Sequence, residues 1–277
     1  MNKNVFMIAG GAVLVIVIAF LAWPKNKPAS SGDATVTGQI PMSGKPVQTL
    51  YEEANALRKS GDMVKAKEIY REISSQYTDF NKIEDVESQL ADVNMKIIFS
   101  NTPVAESTIH EVKSGDTLGK LASQYGTTVD LIKISNNLQS DTIRLGQKLR
   151  IWQGHFNVFV DKSQNVLFLK NGDEVLKVYK VSTGTNNSTP VGTFKITSKL
   201  IDPVWFNKGI VVPPDSPQNV LGSRWLGFDM PGYGIHGTID PETIGQQVTA
   251  GCVRMRNSDV EEVYSLIPLG TEIVIVD

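Results

Sequence analysis

The stretch YGIHGTIDPETIGQQVTAGCVRM, residues 233–255, decides how the C-terminal half of the chain is read. It holds one of the three histidines and the only cysteine among 277 residues. GYGIHG reads as a short strand ending at His236, and Cys252 follows Gly251 in a polar loop. A lone cysteine cannot make an internal disulfide, so Cys252 is either a small buried hydrophobe or a reactive thiol. A free thiol ionises near pH ~8.5, and a neighbouring His or oriented N–H groups can lower that value. Gly251 permits a tight turn in which the N–H groups of Gly251 and Cys252 point at one spot, where an oxyanion would develop. An imidazole at His236 can take the thiol proton if its other nitrogen has an acceptor that fixes the tautomer. The Gly237 carbonyl can serve, and Asp240 is the alternative. Spacing alone leaves inert packing of Cys252 open.

Around this stretch strand signals dominate from His155 onward. NVFVDKSQNVLFLKNGDEVLKVYKVSTG alternates apolar and polar residues about a Gly172-Asp173 hairpin. GTFKITSKL and the closing GTEIVIVD are further strands. Residues 202–231 are rich in Pro and Trp without a clean period, which suggests a lid or a binding wall. A helix is expected after Asn257, capped by Asn257 or Ser258, with Val260, Val263, Tyr264 and Ile267 as its apolar stripe and Pro268 ending it. The expected result is a mostly β domain over residues 155–277.

VSTGTNNSTPVGTFKI, GYGIHGT and TAGCVRM, in that order, resemble the catalytic domain of the L,D-transpeptidase (YkuD-like) family from about residue 156 to 277. The resemblance implies a bacterial cell-wall enzyme. Cys252 would be the nucleophile, attacking the carbonyl of the third residue of a tetrapeptide stem and expelling D-Ala. His236 would be the general base and acid, Gly237 would orient it through its carbonyl, and Gly251 would offer an oxyanion N–H. Arg254, Thr249 and Tyr233 would line the substrate site, with a salt bridge as the alternative role for Arg254 and turn support for Thr249. Transfer to an amine gives a 3→3 cross-link. The alternatives are water as acceptor, an L,D-carboxypeptidase, or a catalytically silent peptidoglycan-binding scaffold. A cell-wall cysteine peptidase normally places Cys before His, the reverse of the order here. Many family members carry a second His two residues before the cysteine, where this chain has Ala250. The His236–Thr249 spacing is also short.

Upstream, residues 108–152 read as strand, helix, helix, strand. Ser114-Gly115-Asp116 reads as a turn that caps a helix with Leu118, Leu121, Ala122 and Tyr125 on one face, and Gly126 ends it. Thr128 caps a second helix with Val129, Ile132 and Ile134, and RLGQKLRIW returns as a strand. VKSGDTL, the Asn136-Asn137 pair and LGQKLRI resemble the LysM family. That resemblance implies binding of N-acetylglucosamine-containing glycan, meaning peptidoglycan. The groove would lie between Gly115, Asp116 and Thr117 and the loop holding Asn136 and Asn137. His110 is expected to be an ordinary strand residue.

Residues 47–100 carry three helical stripes, and a Gly61 break makes the first two resemble a tetratricopeptide-type hairpin. A three-helix segment acting as a spacer, or as a docking surface for a protein partner, is the expectation. Residues 24–46 are Pro-, Gly- and Ser-rich and read as a flexible linker. Residues 5–23 are apolar and uncharged, long enough to cross a bilayer core of about 30 Å at 1.5 Å per residue. Residues 1–23 are therefore expected to be an uncleaved transmembrane anchor in preference to a cleaved signal peptide, whose apolar core is shorter, with the later domains outside the cytoplasm in a bacterial envelope. A net charge of −2 and a pI near 6.0 argue against nucleic acid as a partner. Scattered histidines and one cysteine imply no metal and no cofactor. The expected whole is a multidomain α+β chain: transmembrane helix, tetratricopeptide-like helical segment, LysM βααβ module, and a mostly β L,D-transpeptidase domain.

Overall fold

The computed structural model describes residues 44–207 and 209–277. The three apolar stripes become α1 (Val47–Ser60), α2 (Met63–Gln76) and α3 (Ile83–Phe99). Gly61 ends α1 at a left-handed φ of 91°, and the Asp62 carboxylate caps α2 by accepting from Lys65 N–H. Leu50, Ala54, Ala66, Tyr70 and Ile73 fill the core these helices share. Helix α3 has two apolar faces. Val93 and Ile97 point into the bundle, while Met95 and Ile98 join the core of the C-terminal domain. Asn94 Nδ2 donates to the Leu176 carbonyl at 3.0 Å, and Lys67 pairs with Glu174 at 3.0 Å. The segment is thus packed against the C-terminal domain and does not act as a free spacer.

The next module is β1 (Ser107–Glu111), α4 (Leu118–Tyr125), α5 (Val129–Ser135) and β2 (Lys148–Trp152), with β1 and β2 antiparallel. The hydroxyls of Thr117 and Thr128 cap the two helices. Leu118, Leu121, Ile132, Leu149 and Ile151 make its core. The stripe expected on α5 changes at one place. Ile134 is 44% exposed, and Leu131 instead enters the core of the C-terminal domain. Thr128 also donates to the Ser265 carbonyl. Arg150, 2% exposed, donates through Nη1 to the carbonyls of Ile98 (2.7 Å) and Ser100 (2.9 Å) at the end of α3. Burial lowers its pKa to about 10. Each module thus keeps its own core, while Met95, Ile98, Leu131 and Trp152 carry the two upstream modules into the core of the C-terminal domain.

The C-terminal domain runs β3 (Phe156–Asp161), β4 (Val166–Asn171), β5 (Glu174–Lys180), β6 (Thr183–Gly184) and β7 (Gly192–Ile201). There follow β8 (Trp205–Asn207), β9 (Ile210–Val212), β10 (Arg224–Phe228), β11 (Gly234–His236), β12 (Gln247–Thr249), β13 (Val253–Arg254), α6 (Asn257–Leu266) and β14 (Glu272–Val276). One eight-stranded sheet has the order β13-β11-β10-β7-β14-β3-β4-β5. Only the β11/β13 and β14/β3 pairs in it are parallel. Val260, Val263 and Leu266 of α6 cover the core against one face. Lys199 Nζ donates to the carbonyls of Tyr264 (2.6 Å) and Ile267 (2.9 Å) at the end of α6, and burial lowers its pKa to about 8.

Residues 202–231, aperiodic in sequence, contain the β8/β9 hairpin, whose three-residue strands are too short to show a period, and β10. One expectation is corrected. Asn257 is the first residue of α6 and not its cap; Arg256 precedes the helix and no side chain caps it. Among the described residues no helix is long and apolar enough to cross a membrane. The proposed anchor, residues 5–23, and the linker to residue 43 lie outside the described residues.

Candidate active site

The parallel pairing of β11 with β13 sets His236 opposite Arg254 and Ile235 opposite Val253, so Cys252 enters β13 beside the histidine strand. His236 is 3% exposed and lies nearly parallel to Trp225, their ring centroids 6.1 Å apart. Its Nδ1 is 2.7 Å from the Gly237 carbonyl oxygen. A carbonyl only accepts, so Nδ1 carries the proton and Nε2 keeps its lone pair as the basic nitrogen. Burial pushes the imidazole pKa down to about 4; the Gly237 bond opposes this and the Arg254 charge adds to it. The Cys252 thiol is half-buried and donates to the Gly232 carbonyl at 3.5 Å. Burial pushes its pKa up, against the Gly234 backbone and the Arg254 charge. The resting pair at neutral pH is therefore thiol and neutral imidazole. A thiol already lowered by its neighbours is not what the fold builds, because desolvation of both groups outweighs the attractions.

The cysteine turn is closed by Thr249, whose hydroxyl donates to the Cys252 carbonyl (2.7 Å) and accepts from Gly251 N–H (3.2 Å). Of the two N–H groups expected at an oxyanion, that of Gly251 is bonded to Thr249 here, and that of Cys252 is its neighbour in the same turn. Gly251 is needed for another reason: its φ is 133°, and a Cβ there would lie 2.7 Å from the Tyr233 ring. Tyr233 thus packs on the turn that Thr249 holds. Arg254 donates Nη1 to the Thr243 hydroxyl at 2.9 Å, and its backbone exchanges two 2.8 Å bonds with Ser182. It ties down the loop over residues 240–248, and its partner is a hydroxyl where a carboxylate was the alternative. Ala250 is exposed beside the turn.

Three further groups escaped the reading of the sequence. Buried Lys162 donates to the carbonyls of Asn187 (3.3 Å) and Thr189 (2.9 Å), holding a loop whose Ser188 carbonyl faces Gly251. Asn186 and Asn187 adopt left-handed φ values of 51° and 63° there, and their doublet was the only sign of the tight turn. Trp225 stacks on the imidazole. Asn257 accepts at Oδ1 from Thr238 N–H (2.9 Å) and Ser223 N–H (3.3 Å), behind His236. Its motif position was legible only as a helix start.

In the βααβ module the expected glycan-binding side chains are largely engaged internally. Asp116 accepts from Lys113 N–H and contacts His110 Nε2, both at 2.8 Å, which holds its carboxyl below the usual range. His110 also meets the Tyr125 hydroxyl at 3.0 Å, so it links strand, loop and helix. Thr117 caps α4 and Gly115 turns at φ 85°. Asn136 Nδ2 donates to the carbonyls of Ile132 (2.8 Å) and Arg150 (2.7 Å), and its Oδ1 accepts from Arg150 N–H (2.8 Å). Asn137, exposed at φ 54°, stands on the rim of a cleft of about 600 Å³. A second cleft of about 760 Å³ lies between α5 and α6, lined by Asp130, Arg224 and Tyr264 among others; neither cleft includes Cys252 or His236.

A curled, mixed sheet that carries a Cys–His pair on its parallel edge, joined to a βααβ module, defines the class of protein. Residues 156–275 match the L,D-transpeptidase catalytic domain family (YkuD), and residues 110–152 match the LysM domain. The chain is 42% identical over 126 residues to "Putative L,D-transpeptidase YqjB" of Bacillus subtilis, covering 43% of this chain and 70% of that protein. It is 30% identical over 174 residues to "Putative L,D-transpeptidase YkuD" of the same organism, covering 60% of this chain and 97% of that one. The chain belongs to the L,D-transpeptidase family. A solved L,D-transpeptidase from Mycobacterium smegmatis overlaps with a TM-score of 0.39 at 20% identity, over 48% of this chain and 64% of that one.

Proposed function

We propose that the chain is a peptidoglycan L,D-transpeptidase that uses Cys252 as nucleophile and forms 3→3 cross-links. The observation that carries this reading is the His236 tautomer. With Nδ1–H donated to Gly237, Nε2 is left with its lone pair, and the β11/β13 register sets His236 beside Arg254, two residues past Cys252. The thiol proton passes to Nε2 as sulfur attacks the carbonyl carbon of the third stem residue. The tetrahedral oxyanion collapses, the C–N bond to D-Ala breaks, and the imidazolium proton leaves with the D-Ala amine. An acceptor amine then attacks the thioester, its proton goes to Nε2, and the departing thiolate takes that proton back. Both partners start neutral, so the thiol proton must move to Nε2 as sulfur attacks. Arg254 and Thr249 keep the turn in place, and Tyr233 forms its wall.

The LysM module would hold glycan at the rim around Asn137, concentrating stem peptides near the cysteine. The same reading places these domains outside the cytoplasm, with residues 5–23 as the tether. The test is incubation of the soluble domains with purified tetrapeptide muropeptides, followed by mass analysis. Dimers with a 3→3 linkage and released D-Ala support the proposal. Tripeptide products alone mean water is the acceptor, and unchanged muropeptides with retained sacculus binding mean a silent scaffold.

A further inference from the structure

We infer that Asn257 is a positioning residue for His236, acting through the peptide group that joins Gly237 to Thr238. The inference rests on the proposed role of His236. The carbonyl of that peptide group accepts the His236 Nδ1 proton at 2.7 Å. The N–H of the same group donates to Asn257 Oδ1 at 2.9 Å. One rigid plane therefore links the amide to the imidazole. An amide bonded at its N–H end is polarised toward a stronger acceptor at its oxygen, so Asn257 strengthens the bond that fixes the tautomer.

Independent geometry points the same way. Asn257 Oδ1 also accepts from Ser223 N–H at 3.3 Å, tying the entrance of β10 to the exit of β11. A Cβ on either Gly222 or Gly237 would collide with Asn257 Oδ1. Gly237 does not need glycine for its φ, so the close approach of this amide is what requires it there. Asn257 stands one residue past the N-cap of α6, a position that does not cap the helix, so its amide is free to bond elsewhere. Its oxygen is turned to the loop behind the histidine instead. The site thus has an orienting acceptor relayed through a backbone amide, where many Cys–His sites place a carboxylate or amide directly on the ring.

The test compares the intact chain with Asn257→Ala and Asn257→Asp by two readouts. The first is the 15N shift pattern of His236, which reports the tautomer without requiring activity. The second is the rate of covalent acylation by a carbapenem. Asn257→Ala should give a mixed tautomer with more Nε2–H and slow acylation roughly 10- to 100-fold, the scale of a misplaced catalytic group. Asn257→Asp keeps an acceptor oxygen and should retain the Nδ1–H form, with acylation within a few-fold of the starting protein. An unchanged tautomer and rate in Asn257→Ala overturns the inference, as does an alanine-like tautomer in folded Asn257→Asp. If Asn257→Ala does not fold, the aspartate variant alone decides. Lack of acylation in the unsubstituted protein counts against the proposed activity, while the tautomer comparison still judges Asn257.

Discussion

Two asparagines mark the difference between the LysM module and the catalytic domain. Asn136 closes α5 and commits its amide to the Ile132 carbonyl and to both backbone groups of Arg150. Asn257 opens α6 and commits Oδ1 to the N–H groups of Ser223 and Thr238. Each ties a helix end to a distant stretch of backbone. In the LysM module the tied strand, β2, runs back into the module's own core, so the bonds act on stability. In the catalytic domain the tied peptide faces a titratable ring, so the bond acts on where a proton resides. The same amide chemistry has two outcomes because only one of the bonded segments touches His236.

The largest expected effect tests the catalytic half of that contrast. Cys252→Ala should abolish the carbapenem mass adduct, and His236→Gln should slow its formation by about 1,000-fold, within the usual range for loss of a general base. An adduct on Cys252→Ala would remove the basis for treating the region as catalytic.

The next effect is on stability against pH. His236 ionises near 6.5 in an unfolded chain and at about 4 here, so the unfolded state takes up a proton first as pH falls. Stability is full above about pH 6.5 and should fall by about 3 kcal/mol by pH 4 from this group. Asp259 and Glu87, held above the usual carboxylate range by burial, act in the opposite sense. Urea titrations at pH 7 and pH 4, compared with His236→Gln, isolate the histidine. An equal acid loss in that variant would show that the ring is not held neutral by burial.

Asn136→Ala should cost about 2–3 kcal/mol by leaving the Arg150 backbone groups unpaired, measured by chemical denaturation. Acylation of the folded variant should stay within about twofold. A parallel loss of acylation would erase the distinction between the two asparagines. Smallest is Thr249→Val, expected to cost about 1 kcal/mol, with Thr249→Ser near neutral because the hydroxyl still bridges the turn. A destabilised serine variant would mean that the methyl group, and not the hydroxyl, supports the turn.

Much of the architecture was legible because its signals are local. The helix stripes of residues 47–99, the Thr128 cap and the hairpin at Gly172-Asp173 each depend on neighbours within one turn or one strand pair, whereas the cap of α4 is Thr117 and not the Ser114-Gly115-Asp116 turn. The short strand ending at His236 and its Gly237 acceptor were legible for the same reason. The β8/β9 hairpin was not, since Phe206 and Val211 pair across it while both remain exposed. Lys162 gave no sign, as its partners lie 25 and 27 residues away. The Gly251 N–H was assigned by turn type alone, and a hydroxyl two residues earlier takes it.

The sequence by itself determined which residues can do chemistry: one thiol, one His-Gly strand end, one glycine turn, and the order in which they occur. Local periodicity and residue type carry that information, because they act over a few residues. Only the tertiary structure decided their state. The proton sits on Nδ1, both members of the pair rest neutral, and Asn257 serves the loop behind the histidine in preference to its own helix. Desolvation and hydrogen-bond partnership arise from segments far apart in the chain, so they exist only once the sheet has brought β11, β13 and α6 together.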